Sequence, residues 1–336
     1  MKRLLLIPLL IVALACGCIG GNDDKELTIY TYDSFVAEWG PGPTVVPMFE
    51  EKYGITVNIV SMGSSGDMIS RAILEKDDPK ADILLGINDV QMYRAFSEDV
   101  LAEYRPDAYE MIPDHLVMDD QWRLTPFDYG YMAIVYDSQK VDNPPTSFED
   151  LKDERWKDSL IVEDPRTSSP GLSFMLWTVA AYGDDFDDYW RAIDDSILTV
   201  APSWNTAYYG MFMEGEAPMV VSYSTSPAYH LEYEDTDRYK SVIFEEGGFV
   251  QIEGAGIVNG AEHEDAAKKF IDFMLTEEFQ RELPLTQFML PVNPNVELPA
   301  SYEIVKTTDD VLDLDRTLLA THLDTWTDDW IAAIGG

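Results

Sequence analysis

The stretch Leu124-Thr125-Pro126-Phe127-Asp128-Tyr129-Gly130-Tyr131-Met132-Ala133-Ile134-Val135 decides how the chain is organised. Strands in globular sheets usually run about five or six residues. An apolar run of this length, arriving with a change of register, reads as a strand that leaves one lobe and enters another. Upstream of it, short apolar runs alternate with helical periodicity. Leu27 to Thr31 reads as a strand, Pro43 to Tyr53 as a helix stopped by Gly54, Ile55 to Val60 as a strand and Ser65 to about Glu75 as a helix. Ala81 to Leu85 reads as the next strand, with Asp89 placed to cap a helix over Val90 to Phe96. Strand, loop and helix in repetition force parallel pairing and gather loops at the carboxyl ends of strands, where such sheets bind ligands.

Beyond the long run, Asn143-Pro144-Pro145-Thr146-Ser147-Phe148-Glu149-Asp150-Leu151 reads as a proline-stiffened loop entering a capped helix. Leu160 to Val162, a helix from Pro170 to Tyr182, and Pro218 to Ser222 continue the α/β pattern. A return crossing is expected near Gly247 to Val258, and helices over His263 to Leu283 and about Leu312 to Ala333 close the chain. The fold class expected is α/β, with two lobes and a hinged cleft between them. Residues 27–125 with about 245–336 are assigned to lobe 1, the C-terminal helices falling to either lobe, and 126–244 to lobe 2.

Met1-Lys2-Arg3 followed by the apolar Leu4 to Ala15 has the charge and length of an export signal, too short to span a bilayer stably. In Leu14-Ala15-Cys16-Gly17-Cys18 a small residue precedes a cysteine, as lipoprotein processing requires. Cys18 is the preferred lipidated residue and Cys16 the competing one, which makes 1–18 a signal peptide and 19–26 a flexible tether. The chain's two cysteines both lie here, so the remaining domain is expected to hold no disulfide and no thiolate metal site. A net charge of -39 argues against nucleic acid or an anionic lipid surface as the main partner. Life in high salt accounts for the bulk of that charge better than a cationic solute, which needs only one or two carboxylates.

The four histidines, His115, His230, His263 and His322, are scattered, with no His-Glu-x-x-His helix and no Gly-x-Ser-x-Gly elbow. No enzyme activity, metal or cofactor is expected. What stands out is aromatic residues in loops beside glycine, serine and proline. Tyr30-Thr31-Tyr32-Asp33-Ser34-Phe35 runs on to Trp39-Gly40-Pro41-Gly42-Pro43; Pro202-Ser203-Trp204-Asn205-Thr206-Ala207-Tyr208 and Ser222-Tyr223-Ser224-Thr225-Ser226-Pro227-Ala228-Tyr229 repeat the composition later. A cleft walled by such rings, with a few hydroxyls and a carboxylate, suits a flat cationic heteroaromatic ligand. Gly63-Ser64-Ser65-Gly66 and Asp164-Pro165-Arg166-Thr167-Ser168-Ser169-Pro170-Gly171 each lead from a strand into a helix and read as hydroxyl or anion sites.

The first aromatic loop, with Pro126-Phe127-Asp128-Tyr129-Gly130-Tyr131, Asp164-Pro165-Arg166-Thr167-Ser168 and Ser222-Tyr223-Ser224-Thr225-Ser226-Pro227-Ala228-Tyr229-His230, resembles the thiamine-binding periplasmic proteins of thiamine ABC transporters. The resemblance covers nearly the whole chain after the signal. It implies the type II periplasmic-binding-protein fold and capture of thiamine, or its phosphate esters, by a monomer that passes it to a permease. The N-terminal segment, separately, implies a site outside the cytoplasm, attached to the membrane through the lipid on Cys18 alone. By position, Tyr32 and Trp39 would line one wall, Ser64 or Ser65 and Ser168 would meet the hydroxyethyl or phosphate end, and Trp204, Tyr223 and Tyr229 would complete the enclosure. Asp33 and Asp128 would face the thiazolium charge or support the crossing strands. Phe288-Met289-Leu290-Pro291 replaces the family's Trp-Met-Tyr-Pro, so Phe288 keeps a stacking face and loses the indole donor. The alternatives are a ferric-ion carrier using Tyr208 and Tyr209, though helical neighbours point apart, and a polyamine carrier. A thiamine-metabolising enzyme would need a nucleophilic cysteine or a histidine cluster, and the chain after Cys18 has no cysteine to offer.

Overall fold

The computed structural model describes residues 25–312, 314 and 316–334. The signal segment 1–18 with Cys16 and Cys18, and the tether up to residue 24, lie outside the described residues. Glu26, expected in the tether, already begins the first strand. The strands are β1 (Glu26–Thr31), β2 (Thr56–Ser61), β3 (Ile83–Asn88), β4 (Thr125–Asp137), β5 (Leu160–Glu163), β6 (Ile197–Ala201), β7 (Met219–Tyr223), β8 (Tyr239–Val242), β9 (Val250–Ile257) and β10 (Leu290–Pro291). The helices are α1 (Asp33–Val36), α2 (Gly42–Tyr53), α3 (Ser65–Leu74), α4 (Met92–Ser97), α5 (Ser169–Tyr182), α6 (Phe186–Ile193), α7 (Ser226–Glu234), α8 (Glu264–Met274), α9 (Glu277–Gln280), α10 (Leu283–Thr286) and α11 (Arg316–Ile334).

The strands run in the order β2-β1-β3-β9-β4-β7-β5-β6, with β8 and β10 also on β4. Pairing is parallel where helices cross over, in β2-β1-β3 and in β7-β5-β6, and antiparallel where β4 and β9 pass between them. The long run quoted above is the hinge of this arrangement. Its first half, Thr125 to Tyr131, pairs with β9 in the first lobe, and Met132 to Asp137 pairs with β7 and β8 in the second. Pro126 has no N–H to give to a ladder, and the register slips beside it, between Pro126 and Asp128. Gly130 sits at the junction because a Cβ there would lie 2.9 Å from the Met289 sulfur and 3.0 Å from the Tyr223 ring.

Each sheet is packed on both faces, as side-chain alternation requires. In the first lobe Leu27, Ile29, Ile83 and Leu85 face one core while Tyr30 and Leu84 face the other. In the second, Met132, Ile134, Leu160 and Val162 face one core, and Val135, Ile161 and Val220 the other. The larger second-lobe core is aromatic: Phe148 meets Trp177 and Phe244 at centroid distances of 4.9 and 4.7 Å.

Several elements differ from expectation. Asp89 does not cap a helix; Asn88 Oδ1 accepts from the Gln91 amide at 2.8 Å instead, and α4 begins at Met92. The span from His263 to Leu283 breaks at Thr276, whose hydroxyl caps the short α9. The loop ending at Leu151 enters a 3-10 turn, Glu149–Lys152, rather than an α-helix. The C-terminal helix α11, open to either lobe from the sequence, lies against α6 of the second lobe, with Trp330 edge-on to Trp190 at 5.6 Å.

Trp177 on α5 ties the second-lobe core to the return segment between β8 and β9. Its ring stacks on Phe244 at 5.1 Å and its Nε1 donates to the Gly247 carbonyl at 2.8 Å. Trp177→Ala should therefore cost about 3–5 kcal/mol in chemical denaturation, more than cavity formation alone at the lower end of that range.

Candidate ligand-binding cleft

A cleft with a cavity volume of about 240 Å³ lies between the lobes. The first lobe contributes Tyr32, Asp33, Trp39, Ser64 and Ser65 from the loops after β1 and β2, and Phe288 from the segment before β10. The second contributes Ser168 at the start of α5, Trp204 before a π-helical turn (Thr206–Phe212), Tyr223 at the end of β7 and Tyr229 on α7. The fold brings these ten residues, all singled out from the sequence, to one place, whereas Asp128, also singled out, does not line the cleft.

The second-lobe wall is braced from behind. Trp204 stacks on Tyr208 at 5.0 Å, and its Nε1 donates to Ser222 Oγ at 2.8 Å, which in turn is 2.8 Å from Ser226 Oγ. Tyr208 Oη lies 2.9 Å from His230 Nε2, and His230 Nδ1 lies 2.7 Å from Glu234. Burial holds His230 below its ordinary value against the pull of Glu234. The neutral ring thus turns its N–H toward Glu234 and accepts from Tyr208. Tyr208 and Tyr209 both line the cleft. As helical neighbours they still diverge, Tyr208 carrying its hydroxyl back to His230 while Tyr209 faces Trp39.

Aromatic pairs close the cleft across the lobes. Trp39 faces Tyr209 at 6.3 Å, Phe288 meets Tyr229 at 5.2 Å, and Tyr233 Oη donates to the Leu285 carbonyl at 3.1 Å. Phe288 takes a left-handed backbone, φ 54°, which a non-glycine residue adopts at a cost of about 1 kcal/mol or more.

The floor is polar and acidic. Glu253 on β9 lines the cleft and receives Tyr32 Oη at 2.8 Å and Gln251 Nε2 at 3.1 Å. Gln251 also donates to Tyr223 Oη at 2.8 Å and accepts from Ser173 at 2.8 Å, while Gln287 donates to Tyr32 Oη. Burial pushes the Glu253 carboxyl up to about 7. Asp128, its partner across the β4–β9 ladder, is fully buried, and neither oxygen has a hydrogen bond. Burial first, and Glu253 second, hold it well above the usual carboxylate range. Asp128 therefore stands behind the site rather than in it. Burial also pushes the Tyr32 and Tyr223 phenols well up, so both act as neutral hydroxyls.

The serines divide. Ser64 Oγ accepts from the Asp67 amide and donates to the Asp67 carboxylate at 2.8 Å, and Ser65 Oγ donates to the Gly86 carbonyl. Ser168 Oγ is buried without a partner. Arg166 does not line the cleft, and its guanidinium is held by Asp164, with the closest contact at 2.5 Å. Glu253 and Gln287 were missed from the sequence because each stands alone among apolar or helical neighbours. The one available signal for Glu253 was a carboxylate inside the strand read as the return crossing.

The model of the bacterial extracellular solute-binding protein family matches residues 78–308. The chain is 39% identical over 309 residues to the thiamine-binding periplasmic protein of Brucella abortus biovar 1 (strain 9-941), covering 92% of each chain. It is 36% identical over 313 residues to the protein of that name from Escherichia coli (strain K12), covering 92% of this chain and 93% of the relative. Among solved structures, a periplasmic thiamin binding protein superposes with a TM-score of 0.85 at 35% identity, over 92% of this chain and 96% of the other.

The floor depends on Gly86, whose φ of 97° suits glycine and whose added Cβ would lie 2.0 Å from the Tyr32 ring. Gly86→Ala should cost at least about 1 kcal/mol of stability. A crystal structure of the variant should show Tyr32 displaced and its bond to Glu253 broken.

Proposed function

Because the chain belongs to the bacterial extracellular solute-binding protein family, and within it to the thiamine-binding periplasmic proteins, we propose that it captures thiamine outside the cytoplasm and delivers it to a membrane permease. One observation carries this reading: Trp39, Trp204, Tyr223, Tyr229 and Phe288 surround a small cavity that holds a buried carboxyl at its floor. Desolvated cation–π contacts contribute about 0.5–2 kcal/mol each, so a flat cation gains from several walls at once. The cavity lies slightly below the ~300–1,000 Å³ of drug-sized sites, which suits one small two-ring molecule.

The electrostatics favour the unphosphorylated vitamin. Asp33 and Glu253 line the cleft and Asp67 occupies the serine loop, whereas Arg166 is paired outside it. A phosphate would meet carboxylates without a free cation to balance it. The unpartnered Ser168 hydroxyl is suited to the hydroxyethyl end. Ferric iron fits less well, since Tyr208 Oη is bound to His230 and burial opposes its ionisation. We further propose that the protein binds without turnover, acts as a monomer and is anchored through lipid on Cys18.

Calorimetry of the domain beginning after Cys18, at low and multimolar salt, tests this. Thiamine should bind most tightly, the monophosphate less and the diphosphate least, with spermidine failing to compete. Trp204→Ala should weaken thiamine about tenfold or more. Absence of binding by every thiamine species would refute the proposal, and a visible iron–phenolate band with ferric citrate would replace it.

A further inference from the structure

The acidic floor goes beyond what the wall residues imply. Two carboxyls, Asp128 and Glu253, lie opposite each other on the two strands that cross between the lobes, yet only Glu253 reaches the cleft. No lysine, arginine or histidine acts on either one among the described residues. Taking two adjacent carboxylates out of water without a cation is costly, and the cost is avoided when they hold protons. Resting on the reading of the cleft as a thiamine site, we propose that Glu253 is the counter-charge for the ligand's cationic ring and exchanges its proton for that cation, while Asp128 stays protonated behind it.

The atoms balance: one cation enters the cleft, and one proton leaves Glu253 for solvent. In the empty cleft burial keeps Glu253 protonated up to near neutral pH. A cation in front of it favours the carboxylate, which keeps its bonds from Tyr32 and Gln251. Below neutral pH, binding must therefore expel the proton, and affinity falls as pH falls. The other titratable groups around the pair do not supply this response. Tyr32, Tyr223 and Tyr302 are phenols raised by burial. Asp89, beyond the end of β3, acts on Glu253 as a like charge and accepts from the Ile252 amide at 3.3 Å. Glu163 on β5 is fully buried, is raised by that burial, and lies behind Tyr223. Asp33, the other carboxylate lining the cleft, sits at the exposed rim and accepts from Ser61.

The test is calorimetry of thiamine binding to the intact domain in buffers of different ionisation enthalpy, at pH 6 and pH 8. About one proton should be released per thiamine at pH 6 and about none at pH 8, with the dissociation constant about tenfold higher at pH 6. An uncharged isostere carrying thiophene in place of the thiazolium should show neither effect. Glu253→Gln should abolish proton release and flatten the pH profile, whereas Asp128→Asn should retain both. Tight thiamine binding without proton release at pH 6, or release lost in Asp128→Asn and kept in Glu253→Gln, would overturn the inference and leave the thiamine reading standing. No thiamine binding at either pH would overturn both.

Discussion

Strand β4 belongs to two sheets, and the molecule is organised around that fact. Its first half completes the sheet of one lobe and its second half opens the sheet of the other. A strand cannot bend sharply while both halves remain laddered, so the place where β4 changes partners, between Tyr131 and Met132, is where a hinge would lie. Gly130 lies at this junction and lets Tyr223 from one lobe and Met289 from the other approach the same backbone. The ligand walls thereby become a property of the interlobe angle. Trp39 of one lobe meets Tyr209 of the other, and Phe288 meets Tyr229, so both contacts depend on that angle.

Burial, more than pairing, sets the electrostatics inside. The surface carries many carboxylates joined to nearby lysines and arginines in exposed pairs, worth little individually. The interior carboxyls Asp128, Glu163 and Glu253 have no basic partner among the described residues, and desolvation is the largest influence on each. The two populations respond differently to salt. Screening weakens interactions among exposed charges, but it acts much less on a carboxyl at the bottom of a cleft. The high net charge and the acid at the site are thus separate features of the chain.

Much of the fold was legible because local rules and tertiary structure agree. Gly54 ends α2 in a left-handed conformation as its position suggested, and the long run at Leu124 became the shared strand. Segments rich in tyrosine and tryptophan beside glycine and serine were legible as a site, although Tyr223 and Tyr229 stand at the end of β7 and on α7 rather than in loops. What was lost depended on distant partners. Nothing near Asp89 reveals that Asn88 takes over the capping, and nothing near residue 330 reveals that Trp330 meets Trp190. The same limit exchanged Asp128 for Glu253. Both are isolated acids in crossing strands, and only the pairing of β4 with β9 reveals that they stand opposite each other, Glu253 lining the cleft and Asp128 fully buried beside it.

The most direct measurement is a crystal structure of the domain grown with thiamine. The account requires the ligand's rings between the Trp204, Tyr223 and Tyr229 wall and the opposite lobe, with the thiazolium within about 5 Å of the Glu253 carboxylate, close enough for its charge to act there. Thiamine bound with its positive ring turned toward the rim and Glu253 buried behind an apolar part of the ligand would contradict it.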